Sequence, residues 1–198
     1  MVRDEGNIIQ EFVEALDFRG TEGLDEILGY VLAKARRITS AEAGSIFVPE
    51  PLLGGRKLRC MAVQNDRVEI NAESFVVPID SQSIVGFCAL EGEVVQIEDL
   101  YRLGTDKPYK FNPAFDNKYD YRSVSMLSVP LRNVKNEVTG VIQLINHITG
   151  VDGAGEPAYG TFTLTDVENM SKLALIIGML VERMALIEEI ERLKRLVA

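Results

Sequence analysis

The spacing of hydrophobic positions along this chain changes several times, and each change predicts an element. In residues 121–147 two β-rich runs flank a polar connection containing Asn133 and Asn136, the pattern of an antiparallel hairpin. The second run carries Gly140, Ile142 and Leu144 on one side and Val141, Gln143 and Ile145 on the other. Both sides are largely apolar, so this strand is predicted to be central and covered on both faces. Gln143 is the polar exception, and a polar side chain among apolar neighbours must find a partner in protein, water or ligand. A ligand pocket on that face is one arrangement that would supply it.

Upstream, residues 5–18 place Ile8, Ile9, Phe12, Val13 and Leu16 at helical spacing before Gly20. Thr21 can cap a second helix over about 22–38, whose core stripe is Leu24, Ile27, Leu28, Val31, Leu32, Ala35 and Ile38. The sheet is predicted to begin at 44–48, to turn through the Pro- and Gly-rich 49–55 and to return over 57–63. Asn65 and Asp66 break that strand, 75–79 is extended, and Ser81 or Ser83 caps a short helix that Gly92 ends. Residues 94–97 are extended again. The polar stretch 99–120, with scattered aromatics and prolines, is too long for a plain connection and is expected to form a lid over the pocket.

The glycine-rich 149–161 is read as a flexible loop, because it lacks the Gly-Lys-Ser/Thr ending of a phosphate loop. Thr165 is expected to cap a helix that runs on to the last residues. In that helix Leu173, Ile177, Leu180, Met184 and Ile187 keep a three-four alternation, continued after a shift by Ile190, Leu193 and Val197. Such a seam exceeds what one small sheet can bury, so a parallel coiled coil with a second copy is expected. The alternative is a helix packed wholly on its own domain.

Composition narrows the function classes. With 198 residues, 46% of them hydrophobic, the chain suits one domain with helical additions and a sizeable core. Its apolar runs are short and interrupted by charge, and its acidic start lacks signal-peptide features, so a cytoplasmic protein without a membrane partner is expected. A net charge of −9 disfavours a nucleic-acid partner. Cys60 and Cys88 have no CxxC spacing and read as reduced core thiols. His147 has no Cys, His or carboxylate at ligand spacing, so a hydrogen bond to Asp166 is favoured over a metal. No base, nucleophile or metal cluster occurs at a spacing that catalysis requires, and no enzyme is expected.

The order Tyr-Arg-Ser-x-Ser-Met-Leu-x-x-Pro-Leu from Tyr121, a short charged turn, then Gly-Val-Ile-Gln-Leu-Ile-Asn from Gly140 resembles GAF domains. These are regulatory modules of cyclic-nucleotide phosphodiesterases, adenylyl cyclases and many bacterial signalling proteins. With Asn-Pro-Ala-Phe-Asp at 112–116, the texture is most similar to GAF domains attached to bacterial HD-GYP cyclic di-GMP phosphodiesterases. The resemblance implies an α+β fold, a central antiparallel sheet of about six strands with helices on one face and a ligand pocket on the other. It divides the chain into an N-terminal helix over 1–20, a GAF domain over 21–168 and a dimerisation and signalling helix over 169–198.

The resemblance also implies a pocket, residue by residue. Ser45 matches a serine on the first pocket strand, and Asn65 and Asp66 a pair contacting a purine. Ile84 and Val85 match a helix start whose backbone approaches a phosphate. Asp116, Tyr121 and Ser123 fall on the lid and the next strand, and Gln143 takes the inward polar position. The family's Asn-Lys and Phe-x-x-x-Asp-Glu signature corresponds to Asn146-His147 and to Phe162 through Asp166-Val167. Lysine has become histidine and glutamate valine, leaving a contact between His147 and Asp166 in place of the family's salt bridge. The implied function is a sensory module binding a small molecule, cyclic AMP or cyclic GMP, and passing occupancy through a homodimeric helix to an HD-GYP, cyclase or kinase effector. The alternative is a ligand-free structural dimerisation module. A methionine sulfoxide reductase of this fold would need a catalytic cysteine arrangement that is not recognisable here.

Overall fold

The computed structural model describes residues 24–50, 56–70 and 75–197. The helix expected over 5–18, the Thr21 cap and most of the turn at 49–55 lie outside them. The first described element is helix α1 (Leu24–Ile38), with Asp25 and Glu26 in its first turn and Arg36 and Arg37 in its last, each sign complementing the helix dipole. Its buried stripe is Leu24, Ile27, Leu28, Val31, Leu32 and Ala35.

There follow β1 (Ala41–Pro49), β2 (Lys57–Asn65), β3 (Val76–Pro78), α2 (Ile84–Glu91), β4 (Val95–Ile97), a 3-10 turn (Leu100–Arg102) and α3 (Ala114–Tyr119). The chain continues through β5 (Met126–Arg132), β6 (Val138–Val151), β7 (Pro157–Gly160) and α4 (Leu164–Val197). The strands lie in the order β3-β2-β1-β6-β5-β4, antiparallel throughout, and β7 pairs with the far end of β6. The expected α+β class holds, with six strands along the continuous path and a seventh beside them.

β6 is central, and its alternation separates two cores. Ile142 and Leu144 join Ile46, Leu127, Val129 and Leu131 beneath α1 and the first half of α4. Val141 joins Phe47, Leu58, Cys60 and Met126 beneath α2 on the opposite face. At Gly178, α4 crosses β5 so closely that a Cβ would collide with the backbone of Arg132. Glycine is what lets the long helix lie flat on the sheet.

Two expectations for the C-terminal part change. The 149–161 stretch is a hairpin rather than a loop: β6 runs on to Val151, and β7 returns against it. Its turn is organised by Asp152, whose carboxylate accepts from the N–H groups of Ala154 (2.8 Å) and Glu156 (3.0 Å). The last helix is capped by Thr163, not Thr165. The Thr163 hydroxyl accepts from the Asp166 N–H (3.1 Å), while the Asp166 carboxylate accepts from the Thr163 N–H (2.7 Å), a reciprocal capping box. The seam of α4 divides in two. Met170, Leu173, Ile177 and Val181 are buried on the sheet, whereas Leu186, Ile187, Ile190, Leu193 and Leu196 are exposed.

Candidate functional site

On the sheet face opposite α1 and α4 lies a cavity of about 220 Å³, enclosed by β1, β2, β6, α2 and the lid around α3. Phe47, Phe75, Phe111 and Phe115 supply apolar walls. Its floor is polar at one place. Ser45 on β1 and Gln143 on β6 stand directly opposite each other in the antiparallel ladder, which puts both side chains on the same face as neighbours.

Gln143 donates from Nε2 to Ser128 Oγ (3.1 Å) and to Met126 Sδ (3.1 Å). A thioether can only accept, so the amide's NH₂ end is the one turned that way and Oε1 is left over. Neither Gln143 Oε1 nor the Ser45 hydroxyl has a hydrogen-bond partner among the described residues, and neither is closed off from the cavity.

Ile84 and Val85 line the cavity at the start of α2. Ser83 is the N-cap: its Oγ accepts from the Gly86 N–H at 2.9 Å and its carbonyl from the Phe87 N–H at 3.0 Å. Among the described residues the Ile84 and Val85 N–H groups have no backbone partner, as the first donors of a helix do. A Cβ on Gly86 would strike the carbonyls of Pro78 and Asp80, so this helix start is pressed onto the exit of β3. Among the described residues, Lys110 in the lid is the cation lining the cavity, and it donates to Gln82 Oε1 at 3.2 Å.

Asn65, Asp116 and Ser123 also line the cavity, but the Asn65 and Asp116 oxygens accept hydrogen bonds from the protein and the Ser123 hydroxyl donates to Asp116. Asn65 Oδ1 accepts from the N–H groups of Arg67 (2.8 Å) and Val68 (3.1 Å), a side-chain turn that ends β2. Asp116 is buried and clasps the lid to the incoming strand. It accepts from Ser123 N–H and Oγ (both 2.8 Å) and from the Tyr101 hydroxyl (2.7 Å).

Two residues expected in the pocket lie elsewhere. Asp66 is 62% exposed in its side chain and forms an ion pair with Arg36 of α1 at 2.5 Å, because the Asn65 turn carries the chain out of the strand before Asp66. Tyr121 follows Asp120, whose left-handed φ of 49° turns the chain into a separate polar cluster. There its hydroxyl donates to Glu42 Oε2 (2.7 Å) and accepts from Asn146 Nδ2 (3.0 Å). Burial pushes this phenol well above its ordinary range, and the Glu42 hydrogen bond and charge push the same way.

The signature residues hold the scaffold together. Asn146, with φ of 60°, accepts from the Val124 N–H (2.6 Å) and donates to Glu42 Oε2 (3.0 Å) and the Arg122 carbonyl (2.9 Å). His147 Nδ1 donates to the Thr39 carbonyl at 2.7 Å and approaches Asp166 Oδ2 only to 3.8 Å. The expected contact of His147 with Asp166 is present at that distance, but the hydrogen bond goes to Thr39 because Asp166 Oδ2 serves the Thr163 cap. Phe162 packs its ring 5.3 Å from the imidazole.

The centre that sequence reasoning missed is Glu42, 1% exposed, which also receives the Tyr159 hydroxyl. Glu42 fell just ahead of the strand predicted at 44–48, and Tyr159 sat in a stretch read as a loop, so neither stood out. Cys60 lines the cavity and Cys88 lies beneath it, both free, and burial pushes each thiol up to about 12. Among the described residues no group of His, Cys, Asp or Glu could hold a metal, and no helix is long and apolar enough to cross a membrane.

A sheet of this order, flanked by helices on one face and carrying a lidded cavity on the other, is an α+β architecture with room for a small molecule. The GAF domain family matches residues 23–181, and the chain belongs to it. It is 25% identical over 158 residues to a cGMP-specific 3',5'-cyclic phosphodiesterase of Drosophila mojavensis, a match spanning 76% of this chain and 13% of that protein. Its fold is that of the GAF domain of an Acinetobacter phosphoenolpyruvate-protein phosphotransferase (TM-score 0.67, 14% identity, 96% and 99% of the two chains). A segment of a methyl-accepting chemotaxis protein is also similar (TM-score 0.64, 18% identity, 92% and 97%).

Proposed function

We propose that this GAF domain is a cytoplasmic sensor that binds a cyclic nucleotide in the cavity and passes occupancy through α4 of a homodimer to an effector of the HD-GYP, cyclase or kinase type. The observation that carries this reading is a division of free polar groups within an apolar cavity. The Ser45 hydroxyl and Gln143 Oε1, unpaired among the described residues, suit the edge of a planar base, and the Ile84 and Val85 N–H groups with Lys110 suit an anion. Small-molecule sites typically enclose roughly 300–1,000 Å³, more than the 220 Å³ found here. A nucleotide therefore enters only as the lid moves outward, and that movement is the event to be sensed.

The role is regulatory rather than catalytic. A reductase-like reaction needs a thiolate, and the two thiols are buried and held neutral. The similarity to cGMP-specific 3',5'-cyclic phosphodiesterases supports the ligand class. The exposed stripe on the second half of α4 supports pairing with a second copy, with Arg192 to Glu189 (2.6 Å) and Lys194 to Glu191 (2.7 Å) as flanking ion pairs within the helix.

The same stripe also favours a ligand-free dimerisation module. Calorimetry and thermal shift with cyclic AMP and cyclic GMP decide between the two: saturable heat with a rise in Tm supports the sensor, and silence at millimolar ligand leaves the dimerisation module.

A further inference from the structure

The exposed apolar residues of α4 lie on a different face of the helix from the buried ones. We infer that two copies pair in parallel and in register along Ile176, Met179, Arg183, Leu186, Ile190 and Leu193, a seam that starts over the domain itself. The inference rests on the homodimer reading and adds the face and the orientation.

An α-helix turns once every 3.6 residues, so its two sides can be followed separately along the 34 residues of α4. The side toward the sheet carries Met170, Leu173, Ile177 and Val181, all buried, with Met184 partly buried after them. Past Met184 that side turns to charge, with Glu191, Arg192 and Arg195 exposed. The outer side stays apolar. Leu175 and Met179 are exposed although their turn of helix lies on the sheet, and Leu186, Ile190 and Leu193 continue the stripe beyond it. The alternation that starts at Leu173 is therefore spent on the domain, and the unpartnered seam is the outer one.

Steps of three and four residues from Ile176 to Leu193 are those of a two-stranded coiled coil. Glu182 and Glu189 flank this seam on one side, and Ile187 and Lys194 flank it on the other. Glu182 is held beside the seam by Asn133 Nδ2, which donates to its Oε1 at 2.9 Å. In a parallel pair opposite flanks meet, so Glu189 faces the partner's Lys194, and Arg183 lies beside the partner's Glu182. An antiparallel pair brings like flanks together and sets Glu182 and Glu189 against acidic neighbours. Exposed ion pairs add little affinity, so the charges choose the orientation while the apolar seam supplies the binding. Arg183 also opposes shifted registers, which would set its charge against leucine or isoleucine. The cavity lies on the opposite face of the sheet, so this pairing leaves both lids clear.

The test is disulfide trapping of the full chain carrying Met179→Cys, Leu186→Cys or Leu193→Cys, one at a time, in a glutathione redox buffer. The native Cys60 and Cys88 are buried and give a silent background. Each substituted position meets its own counterpart across the axis of a parallel, in-register pair, and a disulfide needs Cα atoms within about 7 Å. All three variants should be trapped as covalent dimers, at roughly tenfold or more the yield of Arg192→Cys on the charged side. Equal trapping of Arg192→Cys, or trapping at Leu186 and Leu193 without Met179, overturns the inference. A dimer by light scattering in which no more than one of the three is trapped is antiparallel or out of register, and overturns the inference while leaving the homodimer reading intact. A monomer overturns both.

Discussion

Replacing Glu42 with Ala should remove the acceptor on which the lid's trailing segment and the last hairpin converge. The carboxylate is 1% exposed and accepts from Tyr121, Tyr159 and Asn146. Its loss orphans two phenol O–H groups, each costing about 1–3 kcal/mol when buried without a partner, while Asn146 Nδ2 keeps the Tyr121 hydroxyl and the Arg122 carbonyl. Against that stands relief of the desolvation of a carboxylate, and water entering the space would satisfy part of the deficit. A net destabilisation of about 3 kcal/mol is expected, and about 1–2 kcal/mol for Glu42→Gln, which keeps the volume and one acceptor. Urea unfolding with an unchanged m-value measures the total. Hydrogen exchange localises it, because the Val124 N–H is held by Asn146 Oδ1 at 2.6 Å and should lose protection first. A loss below 1 kcal/mol for Glu42→Ala, or unaltered exchange at 121–125, would refute the account of this cluster.

Alkaline pH gives a second prediction. Both thiols rise from an ordinary 9.0 to about 12, so the native state holds their protons longer than the unfolded chain does. Their contribution is complete below pH 9 and is lost as pH climbs toward 12, at about 1.4 kcal/mol per unit for each. The double variant Cys60→Ala, Cys88→Ala should lose that part of the slope, and an identical slope would contradict it. Gly178→Ala should cost about 1–3 kcal/mol through collision with the Arg132 backbone, although alanine favours a helix by about 1 kcal/mol; a stabilised variant would show that α4 can lift without penalty. Asp66→Ala should leave ligand affinity unchanged, since its partner is Arg36; a tenfold loss by calorimetry would return it to the pocket. Ile187→Glu with Ile190→Glu, both exposed, should give a monomer of unchanged Tm by light scattering and calorimetry, whereas a monomeric parent protein would remove the dimer altogether.

Elements with a strong local period could be read directly from the chain. The stripe from Leu24 to Ala35, the Ser83 cap with Gly92 at the C-terminus of α2, and the two-sided alternation of β6 each depend on neighbours within a few residues. Gln143 stood out for the same reason, as a polar side chain in an apolar register. The resemblance to GAF domains supplied a central antiparallel sheet with Ser45 and Gln143 at its pocket, whereas the strand order and the pairing of those two residues came with the structure.

Tertiary structure alone decided which polar atoms are spent and which are free. Tyr159 reaches Glu42 across 117 residues of chain and Arg36 takes Asp66 across the edge of the sheet, so neither pairing leaves a local trace. The fate of His147 turned on the carbonyl of Thr39, and that of Asp166 on the Thr163 cap. Periodicity assigns a side chain to a face of a strand or helix. Whether that side chain binds a ligand depends on competing partners at hydrogen-bonding distance, and those are set only when strands distant in sequence come into register.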